Sequence, residues 1–427
     1  PLSISGGGLR LGGTNNLTFT GSAVVVGGNR DIGNYSPSAV LTLADINLGT
    51  RLLQLDGGAN DTPGSGFILG GAITGSGTFE VLPGVGSRFV RLSGSSTYAG
   101  GATLGGGVVQ VGVSTAGGPG AITSGPFGTG GLTLTGGTIT GSDLSTPRTI
   151  ANNVTLAGPY TIGGGSYAGS IVLTGTLTGS GGDRTLSNGL LSGGTLGLSG
   201  PVYLSEGSAP RILTIDGAGS TRISGVIADA EVTGSAAGSG LTKAGAGVLW
   251  LDALNTFTGT TTVTGGTLFV NGGLGDGPVV VGSLAALGGT GTIGGNLTFA
   301  AGSAVVFNPA TPLTVLGQTT FSDPSTFGID DVIGLNAGTS EGTYTIISGS
   351  VDTVGLANLG AANAYDLGSG KSAYFLPGSL QLIVVPEPAY AATVAISVLL
   401  LAAARRAAAG GRMSSASRSR PAEDPAP

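Results

Sequence analysis

Residues 241–272 read LTKAGAGVLWLDALNTFTGTTTVTGGTLFVNG. Three short runs of strand-forming residues, VLWL at 248–251, GTTTVT at 259–264 and GTLFV at 266–270, are each closed by glycine-rich turns. Almost no side chain here could do chemistry. A second stretch, residues 84–112, reads GVGSRFVRLSGSSTYAGGATLGGGVVQVG. Sliding one copy by 159 residues sets Leu92 on Leu251, Tyr98 on Phe257, Gly100 on Gly259 and Thr103 on Thr262. It also sets Gly106-Gly107 on Gly265-Gly266 and Val111 on Val270, with a two-residue gap near the start. The chain therefore contains an internal repeat, and repeats are units that bury their apolar side only by stacking on neighbours.

The order of residues in 241–272, a T-K-x-G-x-G opening, then N-T-F-T-G-T-T-T-V and G-T-L-F-V, resembles the autotransporter-associated β-strand repeat of exported bacterial proteins. The 84–112 copy is more degenerate, with Pro83 near the place of the lysine. The resemblance implies a right-handed parallel β-helix. Spacing alone establishes only short strands and tight turns.

Glycine supplies 87 of the 427 residues, about three times the ordinary share. Disordered chains combine such a bias with high charge and few hydrophobics. Here charged residues are 9% and hydrophobics 40%, in short alternating runs, which fits many brief strands. The sequence has no cysteine and no histidine. That removes disulfides, thiolate metal sites, the commonest general base and the commonest transition-metal ligand. Residues 1–385 carry 11 Lys+Arg against 19 Asp+Glu, a net −8, which argues against binding nucleic-acid phosphates.

From Leu2 to about Ala310 the pattern scarcely changes: strands of three to six residues, then Gly-Gly, Gly-Ser, Asn-Asn or Gly-Pro. In Leu132-Thr133-Leu134-Thr135 the leucines fall on one face and the threonines on the other. Glycine at the corners permits a positive φ. Antiparallel sandwiches would need punctuation every hundred residues or so and a recurrent aromatic core, whereas Trp250 is the one tryptophan. A solenoid is expected instead. At ~20–25 residues per coil and strands ~4.8 Å apart, roughly 15 coils make a rod of about 70 Å. The end coils of such a rod are exposed edges that need covering.

Residues 311–385 hold less glycine and contain the strands TYTIIS (343–348), SAYFLP (372–377) and SLQLIVV (379–385); they read as terminal coils and a cap. Then follow Pro386-Glu387-Pro388, an apolar run at 389–404, and Arg405-Arg406. As a helix that run spans ~24 Å, short for a permanent anchor but adequate for a transient membrane-held signal. The arginines place the C-terminal side in the cytoplasm. This trio resembles the PEP-CTERM sorting signal of Gram-negative bacteria (386–412), which implies an exosortase-type membrane protease as partner. Residues 413–427 read as a disordered tail. Residue 1 is Pro, so a signal peptide is expected upstream.

Each candidate for chemistry has a plainer reading. Asp330-Asp331, as neighbours in a strand, would face opposite ways, a poor glycosidase pair and at most a calcium ligand or solvated turn. Residues 272–277 come near a calcium nonapeptide but occur once, as a turn. Lys243 stands where the repeat itself carries lysine and reads as structural. The threonines Thr133/Thr135 and Thr138/Thr140 could bind ice or polysaccharide, but threonine also simply favours strands. The expected protein is an exported, non-enzymatic, cofactor-free rod at the cell surface or in the extracellular matrix, structural or adhesive, with extracellular polysaccharide as a candidate partner. The alternatives are a carbohydrate-active β-helix enzyme, needing clustered acids beside Lys or Arg, and an autotransporter passenger, needing a C-terminal membrane barrel.

Overall fold

The alternation read in Leu132–Leu134 recurs along the whole body: inner leucine, outer threonine, inner leucine, with both leucines fully buried. Three-residue strands of this kind cannot stand alone, and each pairs in parallel with its equivalent one coil earlier and one coil later. The structure, a computed structural model, describes residues 2–387 except 5–7, 26, 58–63, 323–326 and 379. It is a parallel β-solenoid of about 14 turns. With strands ~4.8 Å apart this is a rod of about 65 Å.

Each coil contributes to three walls. The first wall begins with Leu2–Ile4 and Ala23–Val25 and, beyond an excursion at residues 113–127, continues from Arg148–Ile150 to Val332–Ile333. The second runs from Leu9–Leu11 through Ile227–Ala230, and its line resumes with Gly273–Leu274. The third runs unbroken from Leu17–Phe19 to Leu297–Phe299 and the end of Leu313–Phe321. Parallel pairing throughout these walls excludes antiparallel sandwiches. Coil length varies: Thr261 pairs with Val279 and Val279 with Leu297, 18 residues each, whereas Val109 and Ile139 are 30 apart. The extra residues lie in excursions outside the walls.

The two repeat copies keep their 159-residue offset strand for strand. Phe89–Leu92, Ala102–Leu104 and Val108–Val111 correspond to Val248–Leu251, Thr261–Val263 and the end of Gly266–Val270. Between the first two strands of each copy an aromatic, Tyr98 or Phe257, is buried where a regular strand is missing. The copies are nevertheless not in the same orientation. The earlier one starts on the third wall, the later one on the first, so the module is turned by one wall.

Inside, one continuous aliphatic core extends from Ile4 to Val384. Each fully buried Leu, Ile or Val contributes about 1.5–3 kcal/mol relative to exposure. Neighbouring coils are also pinned by asparagines at strand entrances. Asn16, Asn153 and Asn296, which begin Asn-x-Thr triplets, accept bonds from the backbone N–H of Val40, Thr176 and Gln318, each in the next coil. The Asn296→Ala variant is therefore expected to lose about 1 kcal/mol, seen as a lower urea midpoint with an unchanged m-value.

The glycines of the corner between the first and second walls have a different role from the one expected. Gly175, Gly200 and Gly225 are stacked in successive coils, and none has a positive φ. A Cβ on Gly200 would lie 2.2 Å from the carbonyl oxygen of Gly175, and one on Gly225 only 1.8 Å from that of Gly200. Gly272 and Gly291 continue the pattern. Here glycine is required by the close approach of one coil's backbone to the next. Elsewhere, as at Gly245 and Gly266, a positive φ is the reason.

Near the end the direction of the strands changes. Gly342–Val351 pairs in parallel with Leu313–Phe321 but antiparallel with Leu380–Pro386, which pairs antiparallel with Lys371–Phe375. Beneath this sheet Phe299, Phe321, Phe327 and Phe375 form a chain of ring contacts, 4.7 Å between centroids at the closest. Among the described residues no helix is long and apolar enough to cross a membrane. The apolar segment 389–404 and the tail lie outside the described residues.

Candidate functional site

The outward positions of each wall form columns that run along the rod, because parallel strands in register place equivalent residues above one another. On the third wall Thr185, Thr214, Thr242, Thr262, Val280, Thr298 and Thr320 stand in one column, all partly exposed. The hydroxyls of Thr298 and Thr320 are 3.1 Å apart. On the second wall Thr103, Thr133, Thr155 and Thr178 form another column, followed by Tyr203 and Ala228. Thr135 lies in a corner and donates to the carbonyl of Leu104. Thr140, expected on an open ladder, is only 6% exposed, because the turns at residues 141–144 and 163–167 overhang it. Together they enclose a cleft of about 540 Å³ with Val108, Gln110, Thr138 and Thr161 on its floor.

The first wall carries the aromatic surface. Arg222, Trp250, Phe269 and Gly288 are successive outward positions in one column. The rings of Trp250 and Phe269 are stacked, 6.1 Å between centroids and 10° from parallel. One step along the strands, Asp252 accepts a bond from Arg222 Nε at 2.5 Å and another from Asn271 Nδ2 at 2.9 Å.

The sequence candidates occupy separate places. Lys243 is 2% exposed and donates to the carbonyls of Ala244, Gly245 and Gly265 at 2.5, 2.9 and 3.1 Å. It thus bridges two coils at a corner. Burial pushes its pKa down to about 8, partly offset by the Asp216 carboxylate. The matching corner of the earlier copy also holds a buried cation, Arg88, with Nε bonded to Ser65 Oγ at 3.0 Å. Asp330 and Asp331 lie in a 3-10 turn, Ile329–Asp331, and not in a strand. Asp331 accepts from the N–H of Gly328, and burial raises its carboxyl pKa, with Asp330 adding to the effect. No group of three metal-ligating side chains occurs among the described residues.

Pro386 ends the strand Leu380–Pro386 at an exposed position, and the N–H of Glu387 donates to Gly370. The Glu387 carboxyl donates a hydrogen bond to the neighbouring Asp366 carboxylate, and this bond together with the Asp366 charge raises the Glu387 pKa. Pro388, Arg405 and Arg406 lie outside the described residues. No residue of the structure draws Lys243, the acidic pair and Pro386-Glu387 together. The aromatic pair escaped the sequence reading. A signal existed: Trp250 and Phe269 are both strand positions that alternation turns outward, one coil apart.

Comparison with known proteins finds similarity in the repeated stretches and along much of the chain. Residues 90–111 and 241–270 match the passenger-associated-transport-repeat. These are the two stretches related by the 159-residue offset. The chain is also similar to the adhesin BmaC autotransporter of Brucella suis biovar 1 (strain 1330), 29% identical over 360 residues. That alignment covers 83% of this chain and 9% of the adhesin's own length. No solved structure matches.

Proposed function

We propose that the protein is an exported, non-enzymatic, adhesive rod displayed at the cell surface or in the extracellular matrix. The observation that carries this reading is the arrangement of the outer walls: long columns of threonine and aromatic side chains on a continuous core, with titratable groups scattered along strands, corners and turns. Such a surface offers repeated weak contacts along a line. The similarity to an autotransporter adhesin and to a passenger-associated repeat supports the same reading. Extracellular polysaccharide is the partner class we favour. The test is retention of the purified chain on polysaccharide-coated and cell-coated surfaces; a chain retained on neither contradicts it.

Delivery is proposed to use residues 386–412 as a sorting signal, with Pro386, Glu387 and Pro388 read by an exosortase-type protease in the inner membrane and Arg405 and Arg406 held on the cytoplasmic side. Replacing Pro386-Glu387-Pro388 by alanines is expected to leave the chain in the membrane fraction and remove it from the surface. Cell fractionation with immunodetection measures this. The adhesin similarity favours a second reading, a passenger segment of a larger autotransporter, and unaltered surface display of the alanine variant would support that reading instead.

A further inference from the structure

The geometry points to the outer face of the first wall at Trp250 and Phe269 as a docking site for a neutral hexose polymer. This rests on the adhesive reading above and adds to it a place and a ligand chemistry. Two partly exposed rings in adjacent coils, stacked with nearly parallel planes, form an apolar pair aligned with the rod axis. Beyond Phe269 the column continues with Gly288, and the place of its missing side chain is taken by the Phe269 ring and Val306. The Phe269 ring is thus packed against the next coils.

Beside this pair, on the same face, Asp252, Arg222 and Asn271 form a connected polar strip. A pyranose ring has the complementary shape, with an apolar face of C–H groups to lie on an aromatic ring and hydroxyls at its rim to meet carboxylate, guanidinium and amide. Aromatic side chains flanked by a few fixed polar groups are how proteins hold ligands that are apolar on one side and wet on the other. The patch is two rings wide, far below the ~800 Å² per partner that a stable protein interface needs. Charge selects among sugars. Asp252 is already paired with Arg222, and the chain carries a net charge of −6, so an acidic polymer would be repelled.

Trp250 is the one tryptophan of the chain, so its emission reports on this site alone. The full chain is titrated with cellohexaose, laminarihexaose and mannohexaose, with hexagalacturonate as the acidic counterpart. A saturable change in emission with at least one neutral hexaose, and a weaker one with hexagalacturonate, is expected. Phe269→Leu, which keeps apolar bulk but loses the flat ring, is expected to weaken that binding about tenfold. Asn271→Ala is expected to weaken it less, and Thr262→Ala on the third wall to leave it unchanged. Circular dichroism confirms that each variant folds. An emission that no neutral hexaose alters, or a Phe269→Leu variant that binds as tightly as the parent, overturns the site. If the chain is still retained on polysaccharide- or cell-coated surfaces in that case, the adhesive reading survives. If it is retained on neither, both fail.

Discussion

Replacing Gly225 by valine is expected to destabilise the rod by about 3–5 kcal/mol, enough to break the coil stack in the middle. The Cβ alone would sit 1.8 Å from the carbonyl oxygen of Gly200. That oxygen cannot move aside, because strands on both sides of the corner pair with the coils above and below. In a solenoid each coil is supported only by its neighbours, so one opened coil separates two halves. Urea denaturation should show a much lower midpoint, and limited proteolysis should cut near residue 225. Gly207 provides the control. A Cβ there meets nothing within 4 Å and its φ is not positive, so Gly207→Ala should leave the midpoint unchanged or slightly raised. Equal midpoints for Gly225→Val and the parent would mean that the corners are not stacked as described.

The second large effect concerns Lys243. Its ammonium is buried against three carbonyl oxygens, so Lys243→Glu places a carboxylate against three like partial charges and is expected to cost about 3–5 kcal/mol. The lysine also gives the fold an unusual pH response. Burial lowers its pKa from 10.5 to about 8, so between those values the unfolded chain binds one proton that the native chain does not. Stability therefore rises with pH through that window, by at most about 3 kcal/mol. Tyr98 and Tyr160 act in the opposite sense. Burial raises both hydroxyl pKa values above the ordinary 10.0, so above pH 10 the unfolded chain loses protons that the native chain keeps, and stability falls. A maximum near pH 10 is expected from urea midpoints measured between pH 7 and 11. In Lys243→Met the rise should vanish and the fall remain. A parent midpoint that is flat from pH 7 to 10 would refute the account.

Much of this architecture could be read from local pattern. Alternation in Leu132–Leu134 shows an inner and an outer face without any knowledge of the neighbouring coil. The offset of 159 residues aligns the strands of the two copies to within one residue at each edge. What could not be read is whatever depends on register between coils of unequal length. The threonine column from Thr185 to Thr320 gathers residues separated by 18 to 29 positions, and no constant period reveals it. Thr140 looks as open as Thr133 in sequence, and only the overhanging turns bury it. The corner glycines mislead for a related reason. A glycine needed for its own φ and one needed by the backbone above it look alike as letters.

The displacement of the two repeat copies by a single wall has a consequence for how such rods lengthen. Because the same 30-residue module fits at two azimuths, its buried side chains do not register which way it faces. Growth by duplication then needs no whole number of turns, and each added module presents its outer residues at a new bearing around the shaft. Any ligand specificity must accordingly arise from residues that differ between modules, as Trp250 differs from Arg91 in the equivalent position.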